Sequence, residues 1–267
     1  MSGTETKWVT SADGTSIGFD RSGAGPAVIL VHGAFTGRAH PILSEVAAIL
    51  ARWFTVFDYD RRGRGDSGDT QPYAVQREVE DLAALVEMAG GSAMAFGGSS
   101  GAGLVLRAAV QNPAITKLAV WEPPYHVDES APRLAPDFAA RLDAMIRKGR
   151  RADAVELFMV EAAAVPVEAV AAMRREPSWP ATEAVAHTLS YEAAIMGPGN
   201  ALPVGLLASI TQPVLVLTGG SSPAWMTKAG QAVAGSIPGA VHRVLDGQTH
   251  NVSPAALVPE LLEFFTA

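Results

Sequence analysis

A serine sits among glycines in Phe96-Gly97-Gly98-Ser99-Ser100-Gly101-Ala102-Gly103, between a short apolar run and a segment of helical length. The Gly-x-Ser-x-Gly spacing centres on Ser99. A serine carried on a sharp strand-to-helix turn needs neighbours without bulky Cβ substituents, and Gly97 and Gly101 supply them. Such a turn lifts the hydroxyl off a sheet and towards a helix N-terminus, where backbone N–H groups and the helix dipole favour an anionic intermediate. The chemistry this suits is nucleophilic attack by serine. Ser100 is the rival nucleophile; its flanking small residues would be Gly98 and Ala102, a poorer match to the spacing.

A serine hydroxyl needs a base. Of the six histidines, His32 follows an apolar strand, His40 opens a helical segment, His126 and His187 fall in a strand-free region, and His242 lies within a strand. His250 differs: it follows the last strand, in Asp246-Gly247-Gln248-Thr249-His250-Asn251, at the carboxyl edge of a parallel sheet, where such folds place ligands. A third group must orient the imidazole and stabilise it when protonated. The turn after the strand at 214–217 reads Gly219-Gly220-Ser221-Ser222-Pro223 and offers no carboxylate. One strand earlier, Trp121-Glu122-Pro123-Pro124 puts Glu122 at a strand's carboxyl end. Glu122 is therefore the expected acid; the alternative is a structural Glu122, salt-bridged or N-capping, with Asp128 or Asp246 serving instead. Val31-His32-Gly33-Ala34-Phe35 closes the first parallel strand, where a loop can donate one backbone N–H to an oxyanion; Ala34 is the first choice and Phe35 the second. The other donor expected is the N–H of Ser100, the residue after the nucleophile.

These residues need elements to hold them. Runs 8–12 and 15–20, split by Asp13-Gly14, read as a hairpin. Short apolar runs at 27–31, 54–57, 93–96 and 118–121 read as strands buried on both faces, separated by helical stretches at 42–53, 75–88 and 102–110. That alternation predicts an α/β fold with a parallel sheet. From 125 to 210 the strand signal gives way to Ala-rich amphipathic stretches broken by Pro166, Pro177, Pro180, Pro198 and Pro203, read as a helical insertion. Strands resume at 214–217 and 241–245, and a last helix covers 255–265. The chain thus divides into a core, 1–124 and 211–267, and an insertion, 125–210.

Composition narrows the function classes. The chain has 267 residues, 48% of them hydrophobic and 18% charged, enough for one large core. A net charge of -7 disfavours a grip on phosphate backbones or anionic lipid. The absence of cysteine removes thiolate nucleophiles, disulfides and Cys-based metal sites. Asp58, Asp60 and Asp66 beside Arg61, Arg62 and Arg64 read as an internally paired turn, and without Gly-Lys-Ser/Thr it is no phosphate loop. The basic stretch 147–151 reads as a solvated helix end. Residues 1–8 are polar, and no run approaches eighteen apolar residues, so a cytoplasmic location is expected.

His32-Gly33, Asp60-Arg61-Arg62-Gly63-Arg64-Gly65-Asp66-Ser67, Gly97-Gly98-Ser99-Ser100-Gly101 and Gly247-Gln248-Thr249-His250 together resemble the α/β-hydrolase superfamily in order and spacing, over nearly the whole chain. The resemblance implies an eight-stranded, mostly parallel sheet flanked by helices, with a helical cap inserted after the sixth strand. It is greatest to small bacterial esterase-like members. One departure stands out: Ser222 occupies the place where most members carry the acid, and Glu122 corresponds to the place where some relatives carry it instead. The implied activity is acyl transfer through Ser99 to water, without metal or cofactor. A small ester, lactone or related acyl substrate is expected against Phe35, Tyr125, Trp179, Met196 and Trp225. No nucleic-acid or membrane partner is expected, and the chain is read as a monomer or homodimer. Two other readings stay open: a cyclase, lyase or acyltransferase of secondary metabolism using the same site, and an inactive small-molecule-binding protein.

Overall fold

The computed structural model describes residues 6–267; residues 1–5, part of the polar start read above, lie outside the described residues. Eight strands form one sheet in the order β1-β2-β4-β3-β5-β6-β7-β8. β1 (Lys7–Thr10) and β2 (Ser16–Ser22) make the expected antiparallel hairpin, and β2 runs antiparallel to β4 (Thr55–Tyr59). The remaining pairings, among β3 (Ala27–Val31), β4, β5 (Ala93–Gly98), β6 (Ile115–Trp121), β7 (Val214–Gly219) and β8 (Val241–Leu245), are parallel.

The apolar runs are continuous because both sheet faces are covered. In β3, Ile29 and Val31 join the cluster that includes Val79, Leu82 and Leu104, while Val28 and Leu30 join the opposite one, with Val46, Leu50 and Leu257. α1 (Pro41–Leu50) and α11 (Pro254–Thr266) cover the second face. α2 (Val75–Met88) and α3 (Ser100–Gln111) cover the first, and α10 (Ala224–Ser236) packs against β7. The helix expected to reach 53 stops at Leu50. Trp53 extends the apolar pattern in sequence, yet it lies in a turn and is 43% exposed.

Between β6 and β7 the described residues form helices, together with one isolated bridge between His126 and Ala201. α4 (Phe138–Arg147), α5 (Arg151–Leu157), α6 (Val167–Met173) and α7 (Trp179–Ala184) come first, then α8 (Leu189–Met196) and α9 (Val204–Leu207). Several of them share a hydrophobic cluster of their own, centred on Phe138, Leu142, Val155, Val170 and Leu189.

Candidate active site

β5 ends at Gly98, and Ser99 takes φ 55° and ψ -127° before α3 begins at Ser100. A left-handed φ at a residue with a Cβ costs about 1–3 kcal/mol and persists only where the surroundings enforce it. Here they do. The Ser99 N–H donates to the Trp121 carbonyl at 2.8 Å, and glycine is required on both sides. A Cβ on Gly97 would stand 2.6 Å from Gly101 O, and one on Gly101 would stand 2.4 Å from Val31 O. Ser99 is left half-buried, whereas Ser100 is buried in the first turn of α3.

Glu122, the residue after β6, also has positive φ, 43°. Its N–H donates to Leu217 O at 2.9 Å, and its carboxylate spans the end of β7: Oε1 accepts the Gly219 N–H at 2.8 Å, and Oε2 lies 2.7 Å from His250 Nδ1. The carboxylate is wholly buried, and His250 is partly exposed. Facing an acceptor-only carboxylate, Nδ1 carries the proton, which leaves Nε2 as the basic nitrogen. Trp121 Nε1 donates to His250 O at 3.0 Å and fixes the loop. The last residue of β7 has no room for a side chain, since a Cβ on Gly219 would stand 2.3 Å from Gln248 O. Of the two alternatives, Asp128 pairs with Lys228 at 2.6 Å, and Asp246 is exposed on its loop. Neither is bonded to His250 among the described residues.

Ser99, Ser100 and His250 line one cavity of about 360 Å³, walled by Ala34, Phe138, Phe158, Met196, Trp225 and Met226 among others. A smaller hollow of about 160 Å³ shares Ala34, Ser99 and His250 with it and extends to His40 and Leu43. Ala34 therefore stands beside Ser99 in both. The N–H groups of Ala34 and Ser100 have no acceptor among the described residues.

Of the five side chains expected around a substrate, Met196 and Trp225 line the cavity and three do not. Tyr125 is fully buried in the main core, where burial pushes its hydroxyl up to about 12. Trp179 packs inside the helical segment, its indole N–H donating to Glu183. Phe35 stands edge-on to Phe158, with centroids 5.6 Å apart, and so backs the wall rather than forming it. Large aromatic side chains gain most from burial; Tyr125 and Trp179 achieve it against neighbouring helices or loops instead of the cavity, and Phe35 is half-buried against the helical cluster. Phe138, Phe158, Met226 and Glu192, not singled out from the sequence, also line it. A signal existed for Glu192: a lone carboxylate in the apolar stretch Leu189–Met196 has to be paired if that helix is buried.

The arginine turn is not internally paired, and that expectation is corrected. Arg61 forks onto Glu78 of α2, both bonds 2.7 Å, and onto Glu192 of α8 at 3.0 Å. Arg62 bonds Asp81 and Asp13, and Arg64 bonds Glu192. The aspartates of the turn are held elsewhere, Asp58 by His32 at 2.6 Å and Asp60 and Asp66 by Arg38. The three guanidinium groups are buried, and each finds its carboxylates on elements distant in sequence. Burial would push the Glu192 carboxyl up, but Arg61 and Arg64 outweigh it and hold the group below the usual range.

A family model described as the alpha/beta hydrolase family matches residues 28–260. The chain belongs to that family. It is 54% identical to an α/β hydrolase from Sphaerobacter thermophilus DSM 20745 of known crystal structure, with a TM-score of 0.91 over 97% of this chain and 100% of the other. It shares its fold, at 22% identity and a TM-score of 0.71, with the esterase RhEst1 from Rhodococcus sp. ECU1013, over 98% of each chain. A curated relative, the uncharacterized hydrolase YraK of Bacillus subtilis (strain 168), is 35% identical over 104 residues, and the match spans only 38% of either chain. Among the described residues no three His, Asp or Glu side chains gather as a metal site, and no helix is long and apolar enough to cross a membrane.

Proposed function

We propose that the chain is a serine hydrolase acting on an ester, lactone or related acyl bond of a small apolar substrate. Ser99 is its nucleophile, His250 its base and Glu122 its acid. The observation that carries this reading is the His250 Nδ1 to Glu122 Oε2 hydrogen bond of 2.7 Å, made at the cavity that Ser99 enters from its strained turn. In the first step Ser99 Oγ bonds to the acyl carbon, its proton passes to His250 Nε2, and the carbonyl π pair moves onto oxygen. The N–H groups of Ala34 and Ser100 receive that oxyanion. Collapse re-forms the carbonyl and breaks the bond to the leaving group, which takes the proton from His250. Water repeats the sequence on the acyl-enzyme and releases the acid.

The mostly apolar cavity wall favours an uncharged acyl group. The segment 125–210 serves as a cap that supplies Phe138, Phe158 and Met196 to that wall. The mechanism requires no metal or cofactor. Fluorophosphonate labelling with peptide mapping tests the assignment: a single adduct on Ser99 is expected, and none in Ser99→Ala. An adduct on Ser100 moves the nucleophile by one residue. Incorporation of one oxygen from labelled water into the product acid then separates hydrolysis from cyclisation or acyl transfer to another acceptor.

A further inference from the structure

The buried arginines do more than bridge helices. Arg64 Nη1 donates to the carbonyl of Gly33, which also accepts from the Thr36 hydroxyl of the same loop at 3.1 Å, and to the carbonyl of Thr36 at 3.1 Å; Arg61 Nη1 donates to the carbonyl of His32 at 3.1 Å. Three carbonyls of the loop after β3 are thus gripped from behind. Gly33 itself is pressed against the nucleophile turn, for a Cβ there would stand 2.9 Å from both Gly98 O and Ser99 Cβ. The Gly33 carbonyl and the Ala34 N–H belong to one peptide unit. In a planar trans peptide these two groups point in opposite directions, so fixing one aims the other. A cation on the carbonyl oxygen also polarises the unit and makes its N–H a stronger donor.

Resting on the serine-hydrolase reading above, we infer that Arg64 is a positioning residue for the oxyanion donor: it clamps the Gly33 carbonyl and so holds the Ala34 N–H towards Ser99, with Glu192 of α8 holding Arg64 in turn. Glu192 is well placed for this. Its Oε1 accepts from both Arg64 and Arg61, its carboxylate is 1% exposed, and it lines the same cavity as Ser99. Glu78, locked to the other side of Arg61 and capped by the Tyr73 hydroxyl at 2.9 Å, closes the group with two cations against two anions. No net charge is left to be solvated. The helical segment is thereby tied to the aim of one backbone N–H. Release of the clamp would let the Gly33–Ala34 peptide rotate and withdraw the donor, while Ser99, His250 and Glu122 stayed in place.

The test is the kinetics of Ser99 phosphonylation by a fluorophosphonate in wild type, Glu192→Gln and Arg64→Lys. Arg64→Lys keeps the charge but loses the fork that reaches two carbonyls and a carboxylate, and it serves where Glu192→Gln folds poorly. Loss of an aimed oxyanion donor costs about 10²-fold or more in the chemical step. In Arg64→Lys, which removes the clamp itself, the maximal labelling rate is expected to fall by about that factor, and in Glu192→Gln, which only loosens the hold on Arg64, by less. The half-saturating probe concentration and the pH midpoint of labelling stay at their wild-type values, and every folded molecule is labelled in the end. A smaller fraction of molecules labelled at the wild-type rate would show a purely structural role and overturn the inference, leaving the hydrolase reading intact. A wild-type protein that takes no label on Ser99 removes that reading and the inference with it.

Discussion

Ser99 and Glu122 sit one residue beyond neighbouring strands, and both have left-handed φ, 55° and 43°. In each case the departure from the strand turns a polar side chain over the sheet edge. The Glu122 carboxylate has four roles to fill at most, and the Gly219 N–H and His250 Nδ1 fill the two that orient it. With its amide oxygen kept on the Gly219 N–H, Glu122→Gln would turn an NH2 donor towards Nδ1 and favour the wrong imidazole tautomer. On the proposed mechanism kcat falls about 10⁴-fold with KM little changed, which steady-state assays on an active ester will show. Gly219→Ala tests the close approach of the two turns. Its methyl would meet Gln248 O at 2.3 Å, so the variant is expected to lose about 1–3 kcal/mol in urea unfolding and to displace His250, lowering kcat. Both the serine turn and the Glu122–His250 pair could be looked for in sequence, the first from its glycines and the second from the missing carboxylate at 219–223. The crowding at Gly219 was not legible there, because it involves a loop 29 residues further on.

At the scale of elements, the strands were legible because continuous apolar runs have no other use in so short a length. The helical segment was legible as helices, yet its inward face was not. Helical periodicity tells which side of a helix is apolar, and it is silent on whether that side meets a core or a cavity. That is why Tyr125 and Trp179 misled while Phe138 and Phe158 went unmarked. Trp225, by contrast, follows the turn after β7 and does face the cavity. Trp225→Ala should raise KM for an apolar ester by about tenfold, the equivalent of about 1.4 kcal/mol of lost contact. Tyr125→Phe, in the core behind the cavity, should leave KM unchanged. A shared series of p-nitrophenyl esters measures both, and a reversed order would redraw the cavity wall.

Across the whole molecule, buried ion pairs join pieces of chain between 17 and 131 residues apart, a pairing that local charge pattern could not disclose. Their dependence on pH follows from Glu192, whose carboxyl is held below its usual range despite burial, by Arg61 and Arg64. A depressed carboxyl contributes stability that is complete above the unfolded value, about 4.3, and fades as pH falls through the folded one. Glu192→Gln should therefore be less stable than wild type by about 3 kcal/mol at pH 7, and the gap should narrow below about pH 4. Urea titrations at stepped pH give the comparison directly. The place of the proposed acid, one residue beyond β6, has a different kind of consequence. Since Glu122 reaches across from beyond the preceding strand, the chain that leaves β7 carries cavity wall, at Pro223, Trp225 and Met226, without also carrying the partner of His250. On the proposed mechanism this part of the substrate wall and the acid lie on separate stretches of sequence, so a directed-evolution library randomised at 223–226 can search for new substrates while the acid stays untouched.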